Sequence, residues 1–319
     1  MSNKILVTDT LFIYDKHVKQ LEESGYIVER IEKSNPTEEE LCEAIKDKVG
    51  YIVGGIEAVT EKVIDAADNL KAIAVVAIGY DFFVPAWKCA LDKEILISYT
   101  PNGPTHEVAE WAITAALMMN REFLELGTIG NKQFAVTKGI ESQVVGIIGM
   151  GRIGSEIARM LAPFNPEKIY YHNRNRDELS EKSLEVEYTD LTNLLNQSDI
   201  VFVCLPDAAK NALGENEFAD MKKGALLVST THPGILVEDE LFQAIKSGHL
   251  RAIVDHEPKS DSFNELPLSS WYCMKSSNTI TEAGSMLMSD MATASLINML
   301  ETGEDALQIP PSSDLAHLL

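Results

Sequence analysis

The chain has 319 residues, 45% of them hydrophobic and 24% charged, with 27 basic against 49 acidic side chains and a formal net charge of −22. That is enough chain for two domains with their own cores, and so acidic a protein is not expected to bind nucleic acid or an anionic membrane through general charge. Cys42, Cys89, Cys204 and Cys273 have neither paired nor metal-ligand spacing, the opening M-S-N-K-I-L-V-T-D lacks a signal-peptide layout, and no apolar run approaches a membrane span; a reducing cytoplasmic setting is expected.

In chain order the first third predicts strands at 5–8, 27–31, 51–53, 72–77 and 95–98, separated by helices at 15–24, 37–46, 62–67 and 85–91. Alternation with short connections predicts parallel strands joined by right-handed crossovers. The connector Y-T-P-N-G-P-T leads to a long helix at 106–124, apolar on most faces and so expected to be buried. A second series predicts strands at 144–148, 168–171, near 186, and at 200–205, 226–229, 250–254 and 279–281. Helices are expected at 152–161, 191–196, 215–221, 238–247 and 285–300. There is no sequence repeat or low-complexity tract.

The second series opens V-V-G-I-I-G-M-G-R-I-G, with Gly149, Gly151 and Gly154 in the turn between an apolar strand and a helix of good periodicity. In that context G-x-G-x-x-G reads as a dinucleotide fingerprint. Gly149 permits the tight turn, Gly151 lets the backbone approach a pyrophosphate, and Gly154 lets helix and strand pack closely. The amides around Met150, Arg152 and Ile153 at the helix start then face phosphate, helped by the helix dipole.

The next strand ends K-I-Y-Y-H-N-R-N-R. A site for NAD places a carboxylate on the ribose hydroxyls about 20 residues past the glycines. Here that place falls at Tyr171, His172 or Asn173, none of them acidic, with Arg174 and Arg176 following. Two permanently charged planar donors and a neutral amide suit a 2′-phosphate, which a carboxylate would repel. NADP(H) is the expected cofactor and NAD(H) the alternative.

The order of motifs resembles the D-isomer-specific 2-hydroxyacid dehydrogenase family, in its NADP-leaning glyoxylate/hydroxypyruvate reductase-like branch, over nearly the whole chain. A-I-G-Y-D at 77–81 is similar to the family's glycine loop, E-V-A-E-W at 107–111 to the start of its hinge helix, and C-L-P at 204–206 to its cofactor-side loop; M-K-K-G-A-L-L-V follows at 221–228. The resemblance implies two doubly wound parallel-sheet α/β domains, a Rossmann cofactor domain at 102–283 inserted into a flavodoxin-like substrate domain of 1–101 and 284–319. It implies a homodimer through the cofactor domains and a small-molecule substrate meeting the nicotinamide in the cleft. It assigns Ile78, Gly79 and Tyr80 to the substrate, and adds Cys204, Leu205, Pro206, Thr230 and Asp255 to the cofactor set.

The catalytic pattern departs from the family. Its substrate-binding arginine precedes a glycine in T-A-R-G, where this chain has T-H-P-G with Pro233. Its histidine stands in T-P-H, where this chain has T-E-A with Ala283. Only the glutamate has a counterpart, Glu257 before Pro258, in a D-H-E-P segment shorter than usual. Proline has no side-chain donor and alanine cannot move a proton. Glu257 and His232 are the expected catalytic pair, with His256, Glu282 and Tyr80 as further proton donors. The expected activity is NADP(H)-dependent hydride transfer to or from a small oxo or hydroxy substrate through a rebuilt site. The alternative is an inactive NADP(H)-binding sensor or scaffold. No histidine pair has metal spacing with a third ligand, so no metal is expected.

Overall fold

The computed structural model describes residues 2–9, 12–101, 103–128, 136–206, 209–231, 233–274 and 280–309. The chain divides into two compact units, Met1–Pro104 with Ile280–Leu319, and Thr105–Thr279.

The first unit alternates β1 (Lys4–Thr8), α1 (Asp15–Glu23), β2 (Ile27–Ile31), α2 (Glu38–Ala44), β3 (Lys48–Val53), α3 (Glu61–Ala66), β4 (Ala72–Val75), α4 (Trp87–Asp92) and β5 (Leu96–Tyr99). The strands form a parallel sheet in the order β2-β1-β3-β4-β5. Successive side chains of a strand point to opposite faces, and here both faces are apolar. Leu6, Tyr51, Val53, Ile73 and Val75 enter one core, while Ile5, Val7, Ile52, Ala72 and Ala74 enter the other. A sheet buried on both sides with its order reversing between β1 and β3 is a doubly wound fold, whose ligands bind beyond the strands' carboxyl ends.

The second unit begins with α5 (Thr105–Asn120) and α6 (Phe123–Thr128). It continues β6 (Val144–Ile148), α7 (Arg152–Leu161), β7 (Lys168–His172), α8 (Glu178–Leu184), β8 (Glu187–Tyr188), α9 (Leu191–Gln197), β9 (Ile200–Val203), α10 (Glu215–Asp220), β10 (Ala225–Ser229), α11 (Glu238–Lys246), β11 (Leu250–Val254) and β12 (Trp271–Cys273). Its parallel sheet runs β12-β11-β10-β9-β6-β7-β8, reversing between β6 and β9, the Rossmann order with one added strand. The alanines of α5 (Ala109, Ala112, Ala116) pack with Ile157 and Leu161 of α7 over Ile147, Phe202 and Val228. The chain then returns to the first unit as α12 (Glu282–Thr302), whose Met288, Ala292 and Leu296 complete the second of that unit's cores.

Two expectations need correction, and two elements were not foreseen. The helix expected at 106–124 stops at Asn120, because Glu122 adopts the left-handed conformation (φ 50°) and a separate turn of helix, α6, follows. No glycine or proline marks that break. No strand forms at 280–281: Thr281 instead caps α12, its hydroxyl accepting from the Gly284 amide at 2.9 Å, and Thr279 lies outside the described residues. The short α8 and the three-residue edge strand β12 had no counterpart among the expected elements.

Candidate dinucleotide site and active site

The fingerprint turn joins β6 to α7 and sits beside the reversal between β6 and β9. Its three glycines differ in what demands them. Gly149 has φ +97°, and a Cβ there would lie 2.4 Å from the Cys204 carbonyl oxygen. The turn needs this glycine both for its backbone conformation and to let the end of β9 come close. At Gly154 a Cβ would lie 2.1 Å from the Gly149 carbonyl oxygen, so helix and strand could not approach as they do. Gly151 is different: φ is −85°, and a Cβ would meet nothing within 4 Å. Neither backbone conformation nor any protein neighbour requires glycine there. The open side of Gly151, at the N-cap of the ten-residue α7, is a cradle that a methyl group would fill and that fits a pyrophosphate.

The turn is fastened to its neighbours by backbone bonds. The Gly149 amide donates to the His172 carbonyl at 2.9 Å, and the Cys204 amide to the Ile148 carbonyl at 2.8 Å. The Met150 amide donates to Oδ1 of Asn173 at 2.7 Å. Asn173 thus uses its side-chain oxygen to hold the fingerprint turn. Ile153 is half-buried, and Arg152 is exposed at the start of α7. Burial pushes the Cys204 thiol up to about 12, against a weaker opposing hydrogen bond to Thr230. Leu205 is half-buried and Pro206 exposed on the loop after β9; Thr230 is half-buried after β10, its amide 3.4 Å from the Val203 carbonyl.

The basic end of β7 resolves into three different roles. The His172 ring is stacked on Tyr188 (centroids 6.1 Å apart, planes at 25°), and Nδ1 contacts the Thr189 carbonyl at 3.0 Å. It packs toward β8. Arg176 forms a bidentate ion pair with Glu181 of α8, Nε to Oε1 and Nη2 to Oε2 both at 2.7 Å. Arg174 is exposed and makes no hydrogen bond or ion pair among the described residues. Glu181 was missed by sequence reasoning, although Asp177 before E-L-S-E is a legible helix start that places an acid in its first turn.

Beyond β11, Asp255 and His256 form a partly buried pair, His256 Nδ1 lying 3.2 Å from Asp255 Oδ1 with side-chain exposures of 13% and 16% respectively. The Cys273 thiol, on β12, donates to the His256 carbonyl at 3.0 Å, tying this loop to the edge strand. Glu257 is exposed and lines a cavity of about 220 Å³ with Pro258, Phe263, Trp271, Tyr272 and Cys273. His232 lies outside the described residues; Pro233 begins the 3-10 turn Pro233–Ile235. Of the residues expected to exchange a proton, His256 lies against Asp255, a residue expected to contact the cofactor. No group of three or more His, Cys, Asp or Glu suited to a metal occurs among the described residues.

In the first unit, Ile78 is half-buried and Gly79 exposed on the loop after β4. A Cβ at Gly79 would meet only an Asp81 carboxylate oxygen, at 3.7 Å. Tyr80 packs edge-on against Trp87 (5.8 Å) and Tyr99 (5.3 Å), and its hydroxyl is raised above the usual range by burial and by Asp81. Ala283 is exposed in the first turn of α12. Two further histidines each face a carboxylate. His17 is fully buried with Nε2 2.8 Å from Asp290, and His106 pairs with Glu156 at 2.8 Å.

Residues 112–278, more than half of the chain, match the family described as D-isomer specific 2-hydroxyacid dehydrogenase, NAD binding domain. Glyoxylate/hydroxypyruvate reductase B of Cronobacter sakazakii is 30% identical over 296 residues, 87% of this chain and 90% of that protein. Glyoxylate reductase of Thermofilum pendens is 29% identical over 225 residues, 67% of this chain but only 66% of that protein. A crystal structure of a Thermus thermophilus protein, 24% identical, superposes with a TM-score of 0.85 over 96% of this chain and 100% of that one, which shows the same fold. With its Rossmann strand order, its fingerprint turn and these relatives, the chain belongs to the D-isomer specific 2-hydroxyacid dehydrogenase family, which binds a nicotinamide cofactor.

Proposed function

We propose that the chain is an NADP(H)-dependent oxidoreductase that acts on a small oxo or hydroxy compound through a site lacking the family's arginine and histidine. The observation that carries it is Gly151, a glycine that the chain's own packing does not need and a pyrophosphate does. The bound nicotinamide supplies or accepts the hydride. Gly149, Met150, Gly151, Arg152, Ile153 and Gly154 hold its phosphates. Arg174 receives the 2′-phosphate, and Asn173 holds the turn beneath it. Cys204, Leu205, Pro206, Thr230 and Asp255 line the nicotinamide side.

For the proton, we place His256 ahead of His232 and Glu257, because the adjacent Asp255 carboxylate orients its ring. Ile78, Gly79 and Tyr80 are the substrate loop. The proposed homodimer through the cofactor unit and the cytoplasmic setting rest on the family resemblance and the composition. Four free cysteines fit a reducing compartment, and no helix among the described residues is long and apolar enough to cross a membrane. Size-exclusion chromatography with light scattering tests the dimer.

A second reading, a cofactor-binding protein without turnover, is supported by Pro233 and Ala283 at the two missing catalytic positions. Oxidation of NADPH with a panel of 2-oxo acids, aldehydes and imines separates the two. Turnover that falls at least tenfold in His256→Gln, with NADPH affinity kept, is the expected result. Tight NADPH binding with no turnover on any substrate selects the second reading. NADH binding as tightly as NADPH removes the cofactor preference.

A further inference from the structure

The loop after β7 carries two guanidinium groups two residues apart, and the structure gives them opposite circumstances. Arg174 is exposed and unpaired among the described residues. Both donor edges used by Arg176 are filled by one carboxylate, with Nε and Nη2 each 2.7 Å from an oxygen of Glu181. That carboxylate is itself held from below. The hydroxyl of Tyr171, a fully buried side chain, donates to Glu181 Oε1 at 2.9 Å, and the Asp177 amide donates to the same hydroxyl at 2.8 Å. Arg176 is 58% exposed and Glu181 only 16%, so the acid is the fixed partner and the arginine the arm laid across it. The Arg176 guanidinium holds the Glu181 carboxyl below the usual carboxylate range, so the pair is ionised at neutral pH.

We infer that Glu181 is a specificity-determining residue for the cofactor: by neutralising Arg176 it limits how strongly the protein prefers a 2′-phosphate over a free 2′-hydroxyl. This rests on the reading of Arg174 as the 2′-phosphate ligand. A phosphate carrying nearly two negative charges meets Arg174 directly, but gains from Arg176 only by drawing it away from, or sharing it with, Glu181. Glu181 has no such effect on NADH, which has no charge at that position. The wild-type pair contributes little net charge, so the selectivity of the site is set below what two arginines alone would give.

Fluorescence titration of the purified chain with NADPH and, separately, NADH tests this. Glu181→Gln keeps an oxygen acceptor for Tyr171 and frees Arg176. It is expected to lower the Kd for NADPH about three- to fivefold, the range of a partly exposed charge pair, and to leave that for NADH unchanged. Arg176→Ala leaves Glu181 uncompensated and raises the NADPH Kd by a similar factor, while the double variant returns to the wild-type NADPH/NADH ratio. The NADH Kd reports loop integrity, because a role confined to structure moves both cofactors together. Arg174→Ala tests the underlying reading separately, with an expected loss of NADPH affinity of about tenfold. If Arg174→Ala leaves the ratio unchanged, the NADP assignment fails. If Arg174→Ala changes it but Glu181→Gln does not, or shifts NADH equally, the role given to Glu181 is overturned.

Discussion

The three fingerprint glycines make separable predictions when each is replaced by alanine. At Gly154 the new methyl would sit 2.1 Å from a backbone oxygen and 3.1 Å from Ile147 Cγ2. Neither can move without shifting β6 or its turn, so a loss of about 1–3 kcal/mol or more is expected. At Gly149 the left-handed φ of +97° costs an L-residue about 1–2 kcal/mol before its 2.4 Å contact with Cys204 is counted. At Gly151 the methyl meets nothing, and an extended φ of −85° suits alanine. The weaker N-cap and the reduced freedom of the unfolded chain oppose one another, leaving stability within about 1 kcal/mol. Binding should show the reverse order of tolerance, because the Gly151 methyl would fill the space proposed for the pyrophosphate. Without cofactor, Gly151→Ala should melt with the wild type and Gly154→Ala well below it. At an NADPH concentration 100 times the wild-type Kd, ligand binding adds about 2.7 kcal/mol to wild-type stability. A tenfold loss of affinity in Gly151→Ala reduces that to about 1.4 kcal/mol, so the NADPH-induced rise in Tm should shrink by about half. A Gly151→Ala protein with wild-type NADPH affinity would refute the assignment of the cradle. So would one as unstable as Gly154→Ala, since the fold itself would then require the glycine.

Other features give independent tests. Burial depresses the pKa of His17, whose Nδ1 accepts from the Tyr14 amide at 2.9 Å and whose Nε2 faces Asp290, so the folded state resists a proton that the unfolded chain takes up near 6.5. Its contribution to stability is therefore present above about pH 6.5 and is lost as pH falls toward the depressed folded value. Thermal melts from pH 7 to 5 should fall less steeply in His17→Gln than in the wild type, and parallel slopes would contradict this. Cys204 is half-buried with its thiol pushed up to about 12, so very little thiolate is present at pH 8 and alkylation should be slow; mass spectrometry showing it modified first among the four cysteines would count against its placement. Pro233→Arg with Ala283→His restores the family's two absent side chains; since Ala283 is exposed on the first turn of α12, that histidine should cost little stability. Glyoxylate or hydroxypyruvate reduction by the double variant, at least tenfold above wild type, is expected, and none would mean that the surrounding loops have diverged too.

Much of the fold is written in local patterns that tertiary contacts do not override. V-V-G-I-I is a continuous apolar run and L-R-A-I-V is interrupted only by Arg251, a pattern that suits strands buried on both faces within an alternating chain. The fingerprint turn is legible because glycine is the residue whose absence of a side chain has a geometric cause. The break at Glu122 was not legible, since a left-handed glutamate carries no compositional mark. Strand β12 was not legible either: three residues are too few for a period, and it exists because Ala252 to Val254 offer an edge to pair with.

The active site divides along the same line. Loss of an arginine and a histidine can be read from residue identities, because no conformation gives proline a charge or alanine a proton. What replaces them cannot, because acid–base competence depends on what a ring faces. His17 follows Lys16 and His256 stands between Asp255 and Glu257, but neither neighbour says what the ring faces. In the structure His17 is fully buried within the first unit between a backbone amide and Asp290, its ring nitrogens both occupied. His256 stands where the Rossmann sheet presents its carboxyl edge, with one nitrogen held toward Asp255. The same argument separates Arg174 from Arg176: the sequence counts two positive charges after β7, and the fold pairs one of them with Glu181. The proposed preference for NADP(H), resting on one free arginine, should be weaker than one built on two and should lose less affinity as salt is raised.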